Sequence, residues 1–230
     1  MKKFYIKILN FVFFSLMFFS CAPVAQVMIS GTGEVVLDLS VQPSENTQVL
    51  VKNTVGENSS LFDEQQIKAN LKTEKIETLK FKTADSSSVA GTFKIPKDRV
   101  QASNLFEIDL ENKKVKCHIS KKSLSVLMKT FPDDIKEYLE LFASPITTGE
   151  NLSSAEYEAL ILSVYGPKIA NELKTSFFKV IVNCPGVIES VKSEPEGRVR
   201  YFAGNSATLT IPLSYMLSLE KPLLITISYK

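Results

Sequence analysis

The sequence predicts an α+β fold: a largely antiparallel β-sheet with a central block of helices packed on one face. Two observations carry this. Residues of about 27–119 and of the last third alternate apolar and polar with a period of two, while about 121–175 repeats its apolar residues at helical spacing. Strands segregated from helices in this way argue against alternating βαβ units and for an antiparallel sheet with helices to one side. The chain is 44% hydrophobic and 23% charged over 230 residues, which excludes disordered, collagenous and disulfide-dense classes. Its length suits one domain, placed at 27–230.

In the first block Val35, Leu37, Leu39 and Val41 alternate with Asp38 and Ser40, the mark of a half-buried strand. Gly31-Thr32-Gly33 and Pro43-Ser44-Glu45-Asn46 on either side are turn material. "QVLVKN" reads as a second strand. A helix is expected from Asp63, with Gln66 as capping-box partner and Ile67 and Leu71 turned inward. Strands near 76–83 and 89–95 flank the polar turn Asp85 to Ser88. Next comes a hairpin turning at Asn112-Lys113, which opposes Glu111 to Lys114, Asp109 to Lys116 and Glu107 to His118. Its other face opposes Leu110 to Val115, Ile108 to Cys117 and Phe106 to Ile119. The basic run Lys113, Lys114, Lys116, His118, Lys121, Lys122 is then largely self-neutralised, each charged pair adding about 0.2–1 kcal/mol. It reads as a solvated face, with an anionic-lipid or partner contact as the alternative.

The helical block, about 121–175, holds Leu124, Leu127, Met128 and Phe131, then Ile135, Tyr138, Leu139 and Phe142, on two helices separated by Pro132. A loop is expected over Ala143 to Asn151. Ser153 and Glu156 form a capping box for a third helix with the stripe Tyr157, Leu160, Ile161, Val164. Gly166-Pro167 ends it and opens a fourth. Five strands follow, "FFKVIVNC", "VIESVKS", "VRYFAG", "ATLTIP" and "LLITISYK", with "LSYMLSL" as a short helix before the last. The last strand is expected at a sheet edge open to augmentation.

Catalytic constellations are scarce. There is one histidine and no G-x-S-x-G turn. Ser176 and Lys179 match S-x-x-K by letter but lead into a strand. Two cysteines plus His118 fall short of a zinc set, and no glycine-rich phosphate loop occurs. No cofactor, metal, nucleic-acid partner or enzymatic activity is therefore expected.

The N-terminus carries the strongest signal. Lys2, Lys3 and Lys7 precede an apolar run from Phe11 to Phe19, too short for a permanent spanning helix, and Ser20-Cys21-Ala22 follows. This resembles the lipobox signal of bacterial lipoproteins, with Phe18 and Phe19 where the pattern has Leu and a small residue, and is similar to spirochaete and treponemal lipoproteins. The resemblance implies that residues 1–20 are a signal peptide and that Cys21 is acylated, with 21–26 as a short tether. Cleavage without lipid, after Ala22 or Ala25, sets Pro23 awkwardly; an uncleaved anchor is the third alternative. The implied partner is a membrane, reached through acyl chains on Cys21, and Ala22 favours the outer membrane over the inner. Loss of the signal removes three of the 27 basic residues and none of the 25 acidic ones, so the mildly basic charge says nothing about partners.

Cys117 and Cys184 then remain, as a candidate disulfide or as two buried thiols. The functional expectation is a non-enzymatic binding or scaffolding module of the cell envelope. Met128, Phe142, Tyr157 and Tyr165 are candidates to line an apolar ligand cleft between sheet and helices, or to be plain core. The alternative is an envelope assembly protein that binds a protein partner.

Overall fold

The computed structural model describes residues 24–42, 44–55, 64–73, 76–84, 88–102, 105–128, 142–196 and 199–230. The segment expected to be a signal peptide, Cys21, Asp63 and the stripe Phe131 to Leu139 lie outside them. The fold is α+β, with its strands in two mostly antiparallel sheets.

Strands β1 (Val24–Ile29) and β2 (Val35–Val41) form a hairpin closed by Ser30 to Glu34. Gly33, at φ 83, supplies the left-handed turn residue. β3 (Glu77–Ala84) and β4 (Ser88–Ile95) extend this hairpin on one side. β7 (Phe177–Asn183), β10 (Ser206–Pro212) and β9 (Val199–Ala203) extend it on the other, giving the order β3-β4-β2-β1-β7-β10-β9. Every pair is antiparallel except β1 with β7. A second sheet, β5 (Phe106–Asp109), β6 (Lys114–Ile119), β11 (Leu223–Tyr229) and β8 (Ile188–Glu194), is antiparallel throughout in the order β5-β6-β11-β8.

Alternation sends one face of each sheet inward. From the larger sheet Val27, Ile29, Leu37, Val180, Val182, Leu209 and Ile211 are buried; from the smaller, Val115, Cys117, Ile119, Ile225 and Ile227. The two sets line common gaps, so the sheets lie face to face, and the gaps hold only about 30 and 10 Å³. Each fully buried Val, Leu or Ile side chain contributes about 1.5–3 kcal/mol relative to exposure.

Among the described residues the sheets are joined by the helices α1 (Glu45–Val55), α2 (Glu64–Thr73), α3 (Lys97–Ala102), α4 (Lys121–Met128), α5 (Ser154–Thr175) and α6 (Leu213–Ser218). Residues 142–147 are also helical. Ile67 and Leu71 of α2 are buried, as the spacing predicted. At the start of α5 both halves of the Ser153–Glu156 capping box are present. Gly166, at φ 79 and ψ 177, breaks α5, and Pro167 opens its second half. α6 is buried along its whole length and packs on α5, β7 and β10.

Several expectations are corrected. The segment read as the strand "QVLVKN" is helix α1: the Ser44 hydroxyl accepts from Thr47 N–H at 3.0 Å, so the supposed turn is a helix cap. Ser44 and Asn46 also donate to the Glu172 carboxylate of α5, tying the two helices together. β1 starts at Val24, so Ala25, expected in the tether, is a core residue of that strand. The β5–β6 register opposes Phe106 to Cys117, Glu107 to Lys116, Ile108 to Val115 and Asp109 to Lys114, two residues from that expected. The cause is a longer turn. Asp109 accepts from the backbone and side-chain N–H groups of Asn112 at 2.9 and 2.8 Å, which holds its carboxyl below the usual range, and Lys113 adopts φ 52.

On α5, Tyr157 and Ile161 point inward, but Leu160 and Val164 are 37% and 59% exposed. The loop expected at Ala143 begins inside the helical stretch, where Ala143 and Ile146 are buried. Finally β11 is not an edge strand: β6 and β8 flank it on both sides.

Candidate functional site

The outer face of the four-stranded sheet carries an open concavity. Alternation along β6 sets Lys114, Lys116 and His118 outward while Val115, Cys117 and Ile119 face the core. Pairing then fixes their neighbours. Lys116 lies between Glu107 on β5 and Thr226 on β11; His118 lies beside Leu224, and Leu224 beside Glu194 on β8. Together with Gln101 of α3 these residues line a groove of about 540 Å³, within the size range of ligand sites.

The groove carries charges of both signs. Lys116 Nζ lies 2.9 Å from Glu107 Oε1, both side chains about half exposed, so the pair is worth about 0–1 kcal/mol. Leu224, 39% exposed, gives the floor an apolar centre. His118 and Glu194 sit on either side of β11, their backbones about 10 Å apart by strand spacing. Among the described residues no group of three or more His, Cys, Asp or Glu could hold a metal ion.

Three of the four cleft candidates come together. Phe142 stacks on Tyr165 with ring centroids 5.2 Å apart. Tyr157 is fully buried and donates its hydroxyl proton to the Phe142 carbonyl, and burial holds its own pKa well above the usual value. None of the three lines the gaps between the sheets. Met128 closes α4, and its side chain lies outside the described set, as does Cys21.

Cys117 and Cys184 are both buried, unbonded thiols, so the disulfide that strand parity allowed is not formed. They lie at different levels of the sandwich. Cys117 pairs with Ile225, whereas the Cys184-to-Gly186 turn sits against Tyr229, about 13 Å further along β11. A disulfide requires Cα atoms within about 7 Å. Burial pushes the Cys117 thiol up to about 12 and the Cys184 thiol up to about 11.

The hairpin residues of the groove were visible in the sequence as the charged face of β5 and β6. Gln101, Glu194 and Leu224 were not, because only long-range pairing brings α3, β8 and β11 beside that hairpin. No described helix is long and apolar enough to cross a membrane. No protein-family model, curated protein or solved structure matches the chain.

Proposed function

We propose that this protein is a lipid-anchored module of the bacterial cell envelope that binds a protein partner without catalysis. Acyl chains on Cys21 hold it to the membrane, and the groove over β5, β6, β11 and β8 receives the partner. The observation that carries this reading is a contrast in space. The groove offers about 540 Å³ on an open sheet face, whereas the apolar gaps between the sheets offer about 30 and 10 Å³. A few tens of Å³ accommodates a water molecule, not an acyl chain, which disfavours an apolar ligand between those layers. Alternating charges around an exposed leucine suit an extended segment that carries both signs and one apolar anchor.

A photo-crosslinking residue at Thr226 tests the groove in cells. Capture of one stoichiometric envelope protein there, and not from the same residue at Thr32 in the β1–β2 turn, is the expected result. Equal capture at both positions removes the groove from the reading. The anchor is tested separately: Cys21→Ala should release the chain from membranes, and globomycin should block its processing. A Cys21→Ala chain that stays fully membrane-bound indicates an uncleaved anchor instead.

A further inference from the structure

We propose that the open face of the seven-stranded sheet lies against the bilayer and binds anionic lipid headgroups through Lys80, Lys82 and Lys179. The inference rests on the acylated Cys21 of the preceding reading and goes on to assign which surface the anchor draws down. β1, the middle strand of seven, begins at Val24. Only Ala22 and Pro23 separate it from Cys21, and three Cα steps span at most about 11 Å. An acyl chain at Cys21 therefore pins the middle of one sheet, at the end where β1 starts, within about that distance of the membrane.

Charge distinguishes the surfaces that lie near that end. The pairings place side chains of the open face in rows across the sheet. The row nearest the anchor runs Lys82, Ala90, Ser40, Val24, Lys179. The next runs Lys80, Thr92, Asp38, Gln26, Ile181. These two rows hold three exposed lysines against one acid, Asp38. The third row reverses the balance: Lys94 pairs with Glu77 across the strands and lies 3.3 Å from Glu34. Positive charge is thus concentrated beside the anchor and cancelled away from it. Between the lysines stand Ala90, Ser40 and Val24, short side chains that leave the face flat enough to meet a planar surface.

The same geometry takes the β5–β6 turn away from the membrane. The Leu110 side chain packs at Gly33, in the turn after β1, so the β5–β6 turn carrying Lys113 sits at the opposite end of that strand. Six residues of strand put about 20 Å between the two ends, more than twice the Debye length of about 8 Å at physiological salt. The partner groove, on the outer face of the other sheet, is left pointing away from the bilayer.

The test is lysine acetylation of the full acylated chain in vesicles, read residue by residue by mass spectrometry. Vesicles of phosphatidylglycerol with phosphatidylcholine are compared with phosphatidylcholine alone. On anionic vesicles Lys80, Lys82 and Lys179 should label roughly fivefold more slowly, and the slowing should fade in high salt, while Lys114 and Lys192 on the other sheet label alike on both vesicles. Equal slowing on the two faces, or slowing only at Lys114 and Lys192, overturns the assignment. Flotation at high salt separates the two readings. A chain that floats but labels evenly loses only this surface; a chain that does not float loses the anchor and this surface together.

Discussion

Gly91→Ala is a sharp test of the packing between β3 and β4. Gly91 occupies an inward position of β4, where its neighbours in the alternation are Val89 and Phe93. A Cβ there falls 2.4 Å from Phe93 Cζ and 2.8 Å from Cε2, with the Lys80 carbonyl oxygen at 3.2 Å. Ordinary carbon contacts begin at about 3.5 Å, so the ring has to retreat by about 1 Å. It has little room, since Phe93 is 1% exposed and meets the Phe81 ring at a centroid distance of 6.1 Å. Overpacking of this kind costs about 1–3 kcal/mol. Replacing glycine in a strand returns about 0.5–1 kcal/mol of backbone entropy, so the net loss should be about 1–2 kcal/mol. Urea unfolding followed by circular dichroism measures it, provided the slope stays that of the unsubstituted protein. The cause is isolated by repeating the change in a Phe93→Leu background, where the clash is gone and Gly91→Ala should be neutral or stabilising. A Gly91→Ala protein as stable as the parent, or an unchanged cost beside Leu at 93, refutes the reasoning.

Three further outcomes are expected. Tyr157→Phe strands the buried Phe142 carbonyl and should cost about 1–3 kcal/mol in the same assay, with no change of fold by circular dichroism. Ser153→Ala removes one half of the capping box on α5 and should cost about 1 kcal/mol; the loss is checked by thermal unfolding. Cys117 and Cys184 should resist a thiol reagent such as Ellman's at pH 8 in the folded protein and both react in urea. Their folded pKa values, about 12 and about 11, exceed the ordinary 9.0. The stability held by the neutral thiols is therefore full below pH 9 and lost as pH rises from there toward 12; Cys117→Ala should flatten the loss of stability with pH above 9.

What the sequence made legible followed from period and parity. The β5–β6 hairpin shows the boundary well. Alternation placed every apolar side chain on the correct face, yet the pairing was displaced by two residues, because an even slip preserves the faces and leaves the pattern unchanged. Only the Asp109–Asn112 turn decides between the registers, and turn length is not written in the alternation. On α5 the Gly166 break was visible and so was the cap, but Leu160 and Val164 belonged as well to an outward stripe as to an inward one. Strand β1 escaped notice because its residues sit directly behind the segment read as a signal peptide, and α1 because Val49 and Val51 resemble a strand when Ser44 is taken for a turn rather than a cap. The candidate site divided along the same line. His118, Lys116 and Glu107 were found as one face of a local hairpin. Leu224 and Glu194 come from over 70 residues away in sequence, and no local pattern announces that approach. The aromatic residues were named as a set, but the stacking of Phe142 on Tyr165 and the hydrogen bond from Tyr157 depended on packing in three dimensions.

The positions of the first and last strands bear on how the molecule is assembled. β1 is the middle of one sheet and β11 is interior to the other, and both have partners distant in sequence: β1 waits for β7 at Phe177, while β6 and β8 wait for Leu223–Tyr229. Pairings of such separation are slow, since chain entropy has to be given up before the contacts form. While the chain is still threading, neither sheet has its full complement of strands, and a polypeptide that has not emerged to its last dozen residues lacks the strand that joins β6 to β8. Both sheets therefore stay open until these late-arriving strands are in place. For the same reason, deletion of Leu223 to Lys230 should leave a product that is degraded rather than a slightly weakened domain.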